Sequence, residues 1–201
     1  MRIEEHISAV QKELDLEADG LWGPKTNAAY LQWRANKKRK ITPQTGAPLD
    51  TPQGLRNFYG NPGDSLVRLV CPYPMVLAWE PDVKIKSFMC HEKVHDSLMT
   101  CLQKILKVYK TQDRIEKARM HLFGGCYNDR NRRGGRTLST HAWAAAIDLD
   151  PARNGRGKPY KKDAGMIPMN VVDIFEDAGW TWGGRFSTPD AMHFQYAKIR
   201  Q

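Results

Sequence analysis

The sequence lacks any long apolar run. No stretch approaches the ~18 consecutive apolar residues that a membrane-spanning helix needs, which excludes a helical integral membrane protein. Cysteine is sparse: Cys71, Cys90, Cys101 and Cys126 lie far apart, with no C-x-x-C pair. Paired-thiolate metal sites and dithiol redox motifs are thereby excluded, and buried free thiols of a reducing compartment are expected. The first residues, MRIEEHISAVQKEL, carry charges throughout and have neither an apolar core nor a small-residue cleavage site. The expectation is a chain made in a cytoplasm without a signal peptide, acting elsewhere only after release. There is no internal repeat, and no helix-turn-helix, zinc-finger or RNA-module pattern, so no specific nucleic-acid partner is expected.

The 201 residues are 41% hydrophobic and 26% charged, enough for one good core plus a small accessory module. Net charge is +9, concentrated in RANKKRK (34–40), RNRRGGR (130–136) and RNGRGKPYKK (153–162). Such patches favour a polyanion: nucleic acid, an anionic membrane or a cell-wall polymer.

Helical spacing of Ile3, Ile7, Val10 and Leu14 predicts a first helix, and DGLWGPKT (19–26) a turn into a second, with Pro24 in its first turn. Residues 1–38 thus form a small helical module, 39–53 a Pro-rich linker, and 54–201 the main domain. Within the latter, 54–84 reads as loops with short strands, 88–110 as the longest helix, 117–125 and 143–150 as strands, 169–180 as a helix and 191–196 as a final strand. Helices segregated from a small antiparallel sheet give an α+β fold.

Two stretches carry chemistry. In STHAWAAAIDLD (139–150), His141 and Asp148 are separated by small residues, and strand alternation places Ala146, Asp148 and Asp150 on one face. A buried carboxylate there needs a cation or a partner. In PDAMHFQY (189–196), Asp190 lies three residues before His193, whose neighbour Phe194 marks the opposite, buried face. Two imidazoles and a carboxylate with one open position make a catalytic zinc shell, and a further carboxylate can take a proton from water. A rival is HEKVH (91–95), which has the His-Glu-x-x-His spacing of a zinc protease helix. On the helical wheel His91 joins the stripe of Val94, Leu98, Leu102 and Ile105, and no patterned third ligand follows. That favours structural histidines.

The segment GGCYNDRNRRGGRTLSTHAWAAAIDLDPARN (124–154), followed by DAGWTWGGRFSTPDAMHFQY (177–196), resembles the zinc D-alanyl-D-alanine carboxypeptidase and L-alanyl-D-glutamate peptidase family, most of all its bacteriophage endolysins. The resemblance implies a Zn2+ cofactor held by His141, Asp148 and His193, with Asp190 as catalytic base and Arg130 steadying the scissile carbonyl. Where the family has a glycine after the first histidine, this chain has Ala144. The N-terminal LDLEADGLWGPKTNAAYLQW (14–33) is similar to a peptidoglycan-binding module shortened at its first helix. The implied protein is a monomeric endolysin whose partner is bacterial peptidoglycan and which cuts an amide bond of its peptide stem, L-alanyl-D-glutamate first. The alternatives are a D-alanyl-D-alanine carboxypeptidase and a non-catalytic wall binder.

Overall fold

A computed structural model describes residues 3–36, 46–162 and 164–199, with the backbone alone over 31–36. Residues 39–45 of the linker expected at 39–53, and most of the first basic cluster, lie outside the described residues.

Helix α1 (Ile3–Glu13) has Glu4 and Glu5 in its first turn and Lys12 in its last, matching the helix dipole, and buries Ile3, Ile7 and Val10. Its Gln11 organises the following turn, accepting from Gly20 N–H and donating to Asp19 Oδ1 and Thr26 Oγ1. Helix α2 (Pro24–Asn36) begins on its proline, and its Tyr30 is fully buried. Both helices contribute to the one hydrophobic core that also holds the main domain. Helix α3 (Pro52–Tyr59) is capped by Thr51, whose side chain accepts from Gly54 N–H.

The six-stranded sheet has the order β2-β1-β3-β4-β6-β5. Strands β1 (Leu66–Leu77) and β2 (Glu80–His91) form a long antiparallel hairpin. Between them and β3 (Leu122–Gly125) lie α4 (Glu92–Tyr109) and α5 (Gln112–Lys117). Then come β4 (Ala146–Leu149), α6 (Pro151–Asn154), α7 (Met169–Asp177), β5 (Thr181–Trp182) and β6 (His193–Gln195). Helices α1 and α4 pack on β1, which is buried along most of its length. Strand β2 is the exposed edge, guarded by Pro81, Lys84 and Lys86.

The α+β expectation is met, with corrections. One parallel pair, β1 with β3, makes the sheet mixed rather than antiparallel. Residues 54–84 hold a helix and a long strand, not loops with short strands. The prolines of VCPYPMVL imitate a loop, but Pro72 and Pro74 sit where the register shifts between Val70 and Met75, so they leave no paired ladder position without its donor. The long helix starts at Glu92, because Phe88 and Cys90 face inward and Met89 outward along β2. Helix α5 ends at Lys117 and a turn covers 118–121, so the strand expected at 117–125 is confined to Leu122–Gly125. Residues 46–53, read as linker, are joined to the domain: Leu49 bridges to Lys198, and Asp50 N–H donates to Lys198 O.

Candidate metal centre

Each ligand candidate is placed by its own piece of backbone. His141 lies in a 3-10 turn, Thr140–Trp143, entered through Ser139, whose side chain accepts from His141 N–H. Ala144 ends the turn in the left-handed region at φ 51°, a conformation that glycine adopts at less cost than alanine. Its carbonyl accepts from His91 N–H, and Trp143 Nε1 donates to Gly60 O, so the turn is fastened from two sides. Asp148 on β4 is paired directly with His193 on β6, and the next pair along that face is Ala146 with Gln195. Facing positions on antiparallel strands share a side of the sheet, so register alone brings carboxylate and imidazole together. Gly124 on β3 makes room for this, since a Cβ there would stand 2.9 Å from Asp148 Cβ.

Three atoms converge. His141 Nε2 is 3.2 Å from Asp148 Oδ1 and 3.1 Å from His193 Nδ1, and His193 Nδ1 is 3.0 Å from Asp148 Oδ1. The outer ring nitrogens are already committed. His141 Nδ1–H donates to Cys126 O at 2.8 Å, and His193 Nε2–H donates to Gln195 Oε1 at 3.0 Å. With those tautomers, assigned from the hydrogen-bond network, two imidazole lone pairs and a carboxylate face each other. Either a proton or a cation must stand between them. All three residues are buried, so water does not screen the repulsion.

The triangle fits zinc. Donors at ~2.0–2.2 Å with tetrahedral angles are separated by about 3.3–3.6 Å, close to the spacing seen, and the N, N, O set leaves one position for water or substrate. In the metal-free chain a proton can stand in the cation's place. Burial pushes the Asp148 carboxyl up, but His141 and His193 outweigh it and hold it well below the usual carboxylate range. Burial opposes a charge on His193, yet its bond to Asp148 leaves its pKa raised.

Asp190 precedes β6 and lines the same cleft as the triangle. Its Oδ1 is buried with no hydrogen-bond partner, and burial pushes its carboxyl up. A buried acceptor without a donor is costly unless something arrives to meet it. The backbone around it is tight: Asp190 N–H donates to Gly183 O, and a Cβ on Gly183 would lie 2.4 Å from Asp190 O. Arg130, Arg133 and Arg156 line the same cleft, where Arg130 donates to the neighbouring carbonyl of Asn131. Asp150 does not join: it lies past the end of β4, tied to Arg119 at 2.7 Å and to Asn154 at 3.0 Å.

HEKVH holds no such arrangement. His91 caps α4: its Nδ1 accepts from Lys93 N–H and its Nε2 donates to Tyr59 O. His95 is fully buried, with Nε2 2.7 Å from Tyr30 Oη on α2. Among the described residues, one His/Cys/Asp/Glu group could hold a metal, and it is His141, Asp148 and His193.

Three polar residues around the centre had no motif to announce them. Gln195 lies two residues after His193, on the same strand face, a spacing that could have flagged it. Asp50 and Arg132 had no local signal, because Arg132 meets Asp50 across the fold, at 2.5 and 3.2 Å. No curated protein and no solved structure matches the chain. Residues 133–196, which contain His141, Asp148, Asp190 and His193, match the family model described as D-alanyl-D-alanine carboxypeptidase, and with the metal-competent triangle that match points to a peptidase.

Proposed function

We propose that this chain is a zinc peptidase of endolysin type that hydrolyses an amide bond in the peptide stem of bacterial peptidoglycan, the L-alanyl-D-glutamate bond first. The observation that carries the reading is the convergence of His141 Nε2, Asp148 Oδ1 and His193 Nδ1 to within 3.0–3.2 Å of one another inside the matched segment. His141, Asp148 and His193 would hold the ion, which when bound polarises a carbonyl and acidifies water. Asp190 takes the proton of the attacking water and returns it to the leaving amine, and its burial favours the proton-accepting role. Arg130 meets the developing negative charge of the scissile oxygen, and Arg133 and Arg156 pair with substrate carboxylates. An arginine-lined cleft suits a stem peptide that bears acidic groups beside the scissile bond.

The matching family, described as D-alanyl-D-alanine carboxypeptidase, favours a second reading, release of terminal D-alanine. Digestion of purified peptidoglycan followed by mass spectrometry decides. New N-terminal D-glutamate supports the endopeptidase, and free D-alanine the carboxypeptidase. Binding to the wall without any cleavage, by zinc-loaded protein, would leave only a wall-binding role.

A further inference from the structure

His193 works as a ligand only if its proton sits on Nε2, so that Nδ1 faces the other donors. That choice is made by the amide of Gln195. If the amide presents its oxygen, the ring proton goes to Nε2. If it presents its nitrogen, Nε2 becomes an acceptor and the proton moves to Nδ1, into the triangle. Thr140 Oγ1, 3.1 Å from Gln195 Oε1, cannot choose between these, because a hydroxyl donates or accepts. The choice falls to groups that only accept. Gln195 Nε2 lies 3.0 Å from Asp50 Oδ2 and 3.3 Å from Ala197 O, so the nitrogen is drawn away from His193. Asp50 is in turn gripped by Arg132 through both terminal nitrogens, and its side chain is only 7% exposed.

We propose that Asp50 and Gln195 are positioning residues that fix the His193 tautomer, with Arg132 holding Asp50 in place. The proposal rests on the zinc reading of the triangle. It gives the segment before α3 a part in the centre: Asp50 orients a metal ligand it does not touch.

The test reads metal affinity rather than turnover, on the full chain, by competition for zinc with a chromogenic chelator. Visible spectra of the cobalt-substituted protein report ligand geometry alongside. Groups that orient a metal-bound histidine are worth roughly 10–100-fold in affinity. Gln195→Ala and Asp50→Ala should each weaken zinc by about that factor. Made together they should weaken it little more than Gln195→Ala alone, because Asp50 acts through Gln195. Asp50→Asn, whose side-chain oxygen still accepts from the Gln195 amide, should stay within about threefold of the parent and keep its cobalt spectrum. Unchanged zinc affinity in Asp50→Ala, or full multiplication of the two losses in the double variant, overturns the proposal and leaves Asp50 a tether for residues 46–51. A parent chain that binds no zinc overturns the metal centre itself, a failure seen before any variant is made.

Discussion

At the scale of single residues, Asp190 and the two histidines of the triangle differ in how their polar atoms are met. Asp190 Oδ1 has no partner, while every ring nitrogen of His141 and His193 is engaged. Asp190→Asn should therefore keep zinc and lose turnover by roughly 10²–10⁴, the usual worth of a positioned base. His193→Ala should lose zinc affinity itself. Equal loss of metal in both variants, measured by metal analysis after dialysis, would make Asp190 a ligand. HEKVH gives the converse. Glu92→Gln should leave the rate within a few-fold, since the triangle is built without Glu92. His91→Ala uncaps α4 and strips Tyr59 O of its donor, which should cost about 1–3 kcal/mol in chemical denaturation while zinc content stays unchanged. A folded, zinc-loaded but inactive Glu92→Gln protein would return the chemistry to HEKVH.

At the scale of elements, the centre is a consequence of strand register. Asp148 meets His193 because β4 and β6 pair in that register, and a slip by one residue would send both to the opposite face. Two glycines permit the close approach, and Gly183 is the more demanding. Gly183→Ala puts a methyl against Asp190 O and 3.1 Å from His193 Cβ, so the turn carrying Asp190 and His193 must move. A displacement near 1 Å can cost ~10²-fold in rate, and overpacking about 1–3 kcal/mol. Steady-state kinetics beside a denaturation curve should show both, and unchanged kinetics would mean the turn yields without moving Asp190. The sequence made the candidate group His141, Asp148 and His193 legible because each sits in a dense local motif, STHAWAAAIDLD or PDAMHFQY. It made β1 illegible because Pro72 and Pro74 mimic a loop, and the irregular register that admits them is a property of two strands together. It placed α4 four residues early because Phe88 and Cys90 fit helical and strand periods alike over so short a run. Asp50 could not be found because its partners Arg132 and Gln195 lie 82 and 145 residues away.

At the scale of the whole molecule, the N-terminal helices and the metal centre both bear on stability. Ile3, Ile7, Val10 and Tyr30 are buried in the common core, and each large aliphatic contributes about 1.5–3 kcal/mol. Deleting residues 1–40 should lower Tm by about 10 °C or more, at roughly 2–4 °C per kcal/mol, whether or not wall binding is also lost. An unchanged Tm would make the helices a detachable module. The centre adds a pH-dependent term with two parts. In the metal-free chain the pKa of His193 is raised by Asp148, so this pair stabilises the fold fully below the ordinary histidine value of ~6.5. That contribution is lost as pH rises through the raised value. Zinc runs the other way, because it must displace the His193 Nδ1 proton. Its affinity falls as pH drops below the raised value, by up to about tenfold per unit for one displaced proton. Since a ligand stabilises the folded state in proportion to the logarithm of its saturation, zinc should raise Tm more at high pH than at low. Thermal melts with and without zinc, at about pH 6 and about pH 8 on either side of the histidine range, should show the gap widening with pH. A gap that stays constant or narrows would mean that no proton leaves His193 when the ion binds, and that Nδ1 is not a ligand.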